Sequence, residues 1–161
     1  MLSYILPVYG AEFFIAKCLD SIYSQGIPES EFEVICVDDC SPDNSRGIIK
    51  AYQIKHPNLI LVEHDINKKA GGARNTGLYK ARGKYVWFID PDDYIPEGAA
   101  ITIINNCTAN NLDVLCFNHL IKKNNIEQAD CVFSENSQIE NGISFLVNRF
   151  GKGIVFNLGY P

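Results

Sequence analysis

A chain of 161 residues, 47% apolar and 20% charged, has the balance of an ordinary globular domain and enough apolar material for one substantial core. A formal charge of −5 with few basic clusters argues against duplex nucleic acid as a partner, so a phosphate-bearing ligand would need a metal or local cations to be held. No run is apolar and long enough to cross a membrane, and the first apolar stretch lacks the basic lead of a signal peptide.

Leu2 to Val8 is an apolar run closed by Pro7 and Gly10, which predicts a central first strand entering the loop Pro7-Val8-Tyr9-Gly10. Ile15, Cys18, Leu19 and Ile22 recur at helical spacing until Gln25-Gly26 ends the pattern. Glu33 to Val37 is a β-rich run ending in the paired acids Asp38 and Asp39. The turn-forming residues Cys40 to Ser45 then lead into a second helix through Ile48, Ile49 and Tyr52. Leu59 to Glu63 is a third strand. Between Asn67 and Asn75, adjacent Gly71 and Gly72 lead into a short helix, where small residues let free amides approach an anion. Lys68, Lys69 and Arg74 are the cations within reach of phosphate oxygens, and a solvated basic loop explains them equally well. The stretch is neither a Walker A loop nor a G-x-G-x-x-G turn.

Tyr85 to Ile89 is an unbroken aromatic and β-branched run, which predicts a strand buried on both faces, and it stops in Asp90-Pro91-Asp92-Asp93. Pro96 and Glu97 open a helix through Ile101, Ile104 and Cys107, and Asp113 to Asn118 reads as a further strand. This alternation predicts a mainly parallel central sheet with helices on both faces. His119 to Phe133 reads as a hairpin or an excursion away from the sheet around Asn124-Asn125, followed by a helix from Ile139 to Phe150 and a strand from Ile154 to Leu158. The chain stops as that strand begins, so a C-terminal truncation is expected. Cys18, Cys36, Cys40, Cys107, Cys116 and Cys131 form no CxxC pair and read as reduced core thiols of a cytoplasmic protein.

Ligands of open α/β sheets bind beyond the carboxyl ends of the strands, which is where the acids fall. Asp90 and Asp92 on a strand tip would face one side, since side-chain direction repeats every second residue, and Pro91 stiffens the backbone between them. Two hard oxygen donors suit a divalent cation; a polar turn that merely ends a core strand is the plain alternative. His56, His64 and His119 are too scattered for a metal set, and Trp87 reads as core rather than as a sugar-stacking platform.

In order and spacing, five segments resemble the nucleotide-sugar-dependent family 2 glycosyltransferases. They are Pro7-Val8-Tyr9; Cys18 to Ile22 with Gln25; Val37 to Ser45; Gly71 to Gly77; and Gly83 to Asp93. The likeness is close through Asn118 and looser through Pro161. It implies a Rossmann-like GT-A fold, with residues 1–118 the nucleotide-sugar-binding α/β core and 119–161 the start of the acceptor-side portion of the same domain. By that resemblance Pro7, Val8 and Tyr9 line the base pocket, Asp39 accepts a nucleobase N–H, and Asp38 supports the loop. Arg74 lies near the base or diphosphate. Asp90-Pro91-Asp92 corresponds to the DxD signature, with Asp90 toward the ribose and metal waters, Asp92 ligating Mn²⁺ or Mg²⁺, and Asp93 in a supporting role. A carboxylate reads an imide N–H, which uracil has and cytosine lacks, so a UDP-sugar is the expected donor.

The resemblance further implies an inverting displacement in which an Asp or Glu deprotonates the acceptor hydroxyl. That base is expected beyond Pro161, and neither Glu135 nor Glu140 is assigned to it. Gly10 stands where the family has Asn, and Cys40 where it has Gly. The expected activity is sugar transfer to a glycan or lipid-linked acceptor in cell-surface polysaccharide synthesis, in the cytoplasm or at the inner face of the membrane, with a homo-oligomer left open. One alternative is a non-catalytic nucleotide-sugar-binding module or a fragment lacking the base. Another is a nucleotidyltransferase or phosphatase-like metal enzyme, for which Pro7-Val8-Tyr9-Gly10 supplies neither a glycine-rich loop nor an Asp-x-Asp strand.

Overall fold

The structure is a computed structural model that describes residues 1–113, 115, 117, 119–123 and 126–130. Four strands, β1 (Leu2–Val8), β2 (Phe32–Asp38), β3 (Leu59–Glu63) and β4 (Tyr85–Phe88), form one sheet in the order β3-β2-β1-β4. Every pairing is parallel: Leu2 faces Phe32 and Tyr85, and Val34 faces Leu59. Parallel pairing sends every carboxyl end to the same edge, so Val8, Asp38 and Glu63 lie level there. The helices are α1 (Ile15–Tyr23), α2 (Ser45–Lys55), α3 (Lys69–Lys80) and α4 (Ala99–Ala109), with a 3₁₀ turn at Glu29–Glu31.

The two-residue period of the strands divides the core into two layers. On one face Ile5, Ile35 and Val37 meet Ala73 of α3, with Ile60, Val62 and Val86 packed around them. Gly77 lets α3 come this close, because a Cβ there would collide with Cγ2 of Ile5. On the other face Tyr4 packs against Phe32 and Trp87, each at 5.7 Å between ring centroids, and Tyr23 of α1 reaches Phe32 at 5.6 Å. The buried stripe of α1, Ile15, Cys18, Leu19 and Ile22, follows the spacing read from the sequence. Each fully buried Leu or Ile in these layers contributes about 1.5–3 kcal/mol relative to an exposed one. Helices therefore cover both faces, and β1 and β2, buried at all positions, form the centre.

Four expected elements differ. β4 is a four-residue strand with β1 on one side and no strand on the other among the described residues, so it is half-buried and Phe88 is 44% exposed. Gly71 and Gly72 lie inside α3, a helix of 12 residues, rather than ahead of a short one. α4 begins at Ala99 because Gly98, at φ 76, leaves the right-handed helical region and Pro96 closes a turn onto the Ala99 amide. Asp113, Leu115 and Phe117, the described positions of the expected strand from 113 to 118, are in no strand. There the Leu112 amide bonds back to the Cys107 carbonyl and Asn111 takes φ 47, which turns the chain.

The chain divides into two compact units, Met1–Thr102 and Ile103–Pro161. The second contains the antiparallel hairpin of β5 (His119–Lys123) and β6 (Ile126–Asp130), where a hairpin was expected. The helix from 139 to 150 and the strand from 154 to 158 lie outside the described residues. Cys18, Cys36 and Cys107 are buried, whereas Cys40 is exposed in a left-handed turn at φ 63 rather than in the core.

Candidate functional site

Beyond the carboxyl edge of the sheet lies a cavity of about 430 Å³, within the usual size of a small-molecule site. Pro7, Val8 and Tyr9 form the wall after β1, Asp39 the wall after β2, and Asp90, Pro91 and Asp92 the wall after β4. α3 contributes Lys69, Ala70, Ala73 and Arg74. Seven of the expected site residues, Pro7, Val8, Tyr9, Asp39, Arg74, Asp90 and Asp92, thus border one space. Asp38 does not border it. It is fully buried behind the wall, where its Oδ2 accepts Arg46 Nη2 at 2.7 Å and Nε at 3.1 Å. Arg46 also reaches Glu63 at 3.1 Å, so Asp38 anchors the edge of the sheet instead of facing a ligand.

Asp39 is the most constrained group in the wall. Its amide bonds to the Val8 carbonyl at 2.8 Å, which fixes the backbone beside β1. Its Oδ1 accepts His64 Nδ1–H at 2.7 Å and the Lys68 amide at 2.8 Å. Oδ2 is buried and has no hydrogen-bond partner among the described residues. Burial alone would raise the Asp39 pKa, but the hydrogen bonds from His64 and the Lys68 amide hold it below its usual 3.8. A carboxylate of the cavity wall thus has one oxygen held by two donors and the other buried without a partner among the described residues.

The loops on either side of Asp39 are tied together. The amides of Gly10, Ala11 and Glu12 donate to Ser41 Oγ, Ser45 Oγ and Asp43 Oδ2 at 3.3, 2.9 and 2.9 Å, and Asn44 donates back to Glu12 Oε2 at 2.9 Å. Gly10, at φ 65, has no heavy atom within 4 Å of where a Cβ would stand, so the space that the family's Asn side chain would enter is open. Cys40 keeps a left-handed turn in which glycine would be unstrained.

Asp90 to Asp93 form a turn, not a continued strand, closed by the Asp93 amide on the Asp90 carbonyl at 3.0 Å. Asp90 and Asp92 are exposed, and Asp90 Oδ1 pairs with Arg74 Nη2 at 2.5 Å. Below them the Cys18 thiol lies 3.8 Å from the Asp90 carbonyl and is pushed up to about 12 by burial and by the charges of Asp93, Asp92 and Asp90. The turn thus carries a negative field. Among the described residues no three His, Cys, Asp or Glu side chains gather into a ready-made cation cage. Two carboxylates still fit a hard cation that completes its shell with water and substrate phosphate. On α3, which also borders the cavity, Lys68 makes no side-chain cap but Asn67 Oδ1 accepts the Lys69 amide at 3.0 Å, and the remaining first-turn amides carry the positive end of the helix dipole.

His64 is the partner of Asp39 that the sequence pattern does not reveal. The paired acids advertised Asp39, but only the fold brings a histidine from 25 positions later into contact with it. Phe14 and Asn67 also join the wall, and neither belongs to a motif that singles it out.

The Glycosyl transferase family 2 model matches residues 3–152. Poly(ribitol-phosphate) beta-glucosyltransferase of Bacillus spizizenii is 39% identical over 114 residues, which are 70% of this chain and 18% of that protein. A crystal structure of a portion of Staphylococcus aureus TarS in complex with UDP-GlcNAc superposes with a TM-score of 0.62 at 35% identity, covering 68% of this chain and 31% of that one. The mannosyltransferase PcManGT from Pyrobaculum calidifontis, in complex with GDP-Man and Mn²⁺, gives a TM-score of 0.58 at 31% identity, covering 62% of this chain and 30% of that one. The chain spans under a third of the length of each. The parallel sheet, its helices and these superpositions make the architecture an α/β fold of the GT-A kind. With the family model covering most of its length, the chain belongs to glycosyl transferase family 2.

Proposed function

We propose that this chain is the donor-binding portion of an inverting glycosyltransferase that moves a sugar from a nucleotide-sugar, a UDP-sugar by preference, to a glycan or lipid-linked acceptor in cell-surface polysaccharide synthesis. The observation that carries this reading is Asp39, a buried carboxylate on the cavity wall with one oxygen unpartnered among the described residues. That oxygen accepts the imide N–H of uracil, while Pro7, Val8 and Tyr9 cover the base. TarS bound to UDP-GlcNAc supports the donor class, and the poly(ribitol-phosphate) beta-glucosyltransferase of Bacillus spizizenii supports the acceptor class. Residues 1–118 would form the donor core, with 119–161 opening the acceptor side. The working compartment would be the cytoplasm or the inner membrane face.

In this reading the chain's own groups bind and orient. Arg74 exchanges Asp90 for the donor diphosphate, and the first-turn amides of α3 add positive charge there. Asp90 and Asp92 would hold Mn²⁺ or Mg²⁺, Asp90 also turning toward the ribose. The cation, when bound, supplies Lewis-acid neutralisation of the departing diphosphate. Among the described residues the carboxylates bordering the cavity are Asp39, Asp90 and Asp92, and each is committed to the donor. The general base therefore comes from outside this pocket, and without it the same residues make a nucleotide-sugar-binding module.

Isothermal titration of UDP tests the reading. Binding should strengthen about tenfold with Mn²⁺, and Asp92→Asn should remove most of that gain. Equal affinity with and without the cation in the wild-type chain would refute the role given to Asp90 and Asp92.

A further inference from the structure

His64 lies just beyond β3, is 6% exposed and has no part in the cavity wall. Its amide is bonded to the Asp38 carbonyl at 2.9 Å, so its backbone is fixed to the end of β2. The ring spans two partners: Nδ1 is 2.7 Å from Asp39 Oδ1, and Nε2 is 2.9 Å from Thr76 Oγ1. An ionised carboxylate only accepts, so Nδ1 carries the proton of the first contact. Thr76 is in turn anchored within α3, its hydroxyl 3.1 Å from the Gly72 carbonyl. The imidazole is thereby held at both ends. It links the acid beside the cavity to the helix that carries Arg74.

We propose that His64 is the positioning residue that sets base selectivity: by donating to Asp39 Oδ1 it leaves Oδ2 as an obligate acceptor, which admits a base offering an N–H and rejects one offering a lone pair. This inference rests on the nucleotide reading of Asp39 given above. With Oδ1 occupied by His64 and the Lys68 amide, the carboxylate cannot rotate without breaking two hydrogen bonds. A protonated Asp39 could offer an O–H to N3 of cytosine; the ionised carboxylate that His64 and the Lys68 amide hold cannot. Selectivity then comes from a repulsive lone pair against the wrong base as much as from the bond to the right one.

Two near-isosteres separate the contacts of the ring. In His64→Asn the amide nitrogen falls near the position of Nδ1 and keeps a donor to Asp39; in His64→Gln it falls near Nε2 and keeps only Thr76. UDP and CDP are titrated calorimetrically into the full 161-residue chain and its variants, with thermal melting as the check on folding. The wild type and His64→Asn should share a preference for UDP over CDP to within about threefold. In His64→Gln, UDP affinity should fall about tenfold with CDP unchanged, at a melting temperature matching that of His64→Asn. Should His64→Gln fail to fold, Thr76→Val removes one anchor of the ring with little change of shape and should lower the UDP-to-CDP ratio about threefold.

The outcomes separate cleanly. A wild-type UDP-to-CDP ratio in His64→Gln, or in Thr76→Val if it stands in, overturns the role of His64. If Asp39→Asn meanwhile relaxes the preference, the nucleotide reading stands. If Asp39→Asn leaves the preference unchanged, that reading and the inference built on it both fail.

Discussion

The chain ends two of its parallel strands in paired acids, and the two tips behave oppositely. After β2, Asp38 and Asp39 are 0% and 2% exposed and are held by Arg46, His64 and the Lys68 amide. After β4, Asp90 and Asp92 are exposed on a turn, and Asp90 pairs with a half-exposed Arg74. The difference is set by position in the sheet: β2 is flanked by β1 and β3, while β4 has a strand on one side only among the described residues. Burial with fixed partners makes a carboxylate a rigid reader of hydrogen bonds. Exposure on a turn leaves it able to change partners, as a cation-binding pair must.

The contrast can be broken most forcefully at Asp38. Replacing it by Ala removes a buried carboxylate that accepts charge-assisted hydrogen bonds, and urea denaturation should show a loss of about 2–3 kcal/mol. Acid provides the next test. The carboxyls of Asp39, Asp43 and Glu33 would be raised by burial but are held below their usual values by hydrogen bonds: from His64 and Lys68, from Ser45 and the Glu12 amide, and from Ser3 and Arg82. A depressed folded-state pKa stabilises above the unfolded value. Melting temperatures should therefore hold above about pH 4.5 and fall as pH drops through the lowered folded values of these three groups. Cys40→Gly, beside the buried tip, should gain about 1 kcal/mol by relieving the left-handed backbone at φ 63. Smallest of all, Asp92→Ala at the exposed tip should change stability by less than about 0.5 kcal/mol in the same denaturation experiment.

Legibility in the sequence followed the same division. β1, β2, β3 and α1 were readable because their apolar residues recur with a period that nothing else explains, and the carboxyl-edge placement of the acids follows from parallel pairing. Pattern alone misjudged β4, since an aromatic run looks alike whether a strand has one neighbour or two. It also misjudged the start of α4, where Pro96 looked like a first-turn residue but Gly98 takes a positive φ. Helix α3 was underestimated because Gly71 and Gly72 suggest a loop, whereas they lie in the first turn of a helix that packs Ala73 and Gly77 against the sheet. His64 was invisible for a different reason: its meaning depends on Asp39 and Thr76, one before it and one after, which meet only in the folded chain.

The lacing of residues 10–12 to 41–45 bears on how this site can be inherited or re-engineered. Amides of one loop are answered by side chains of the other, and Glu12 answers in return. Neither loop is therefore a module in its own right. A chimera that imports only the segment after β1 from a relative would arrive with donors facing the wrong acceptors, so the two segments should be exchanged as one cassette.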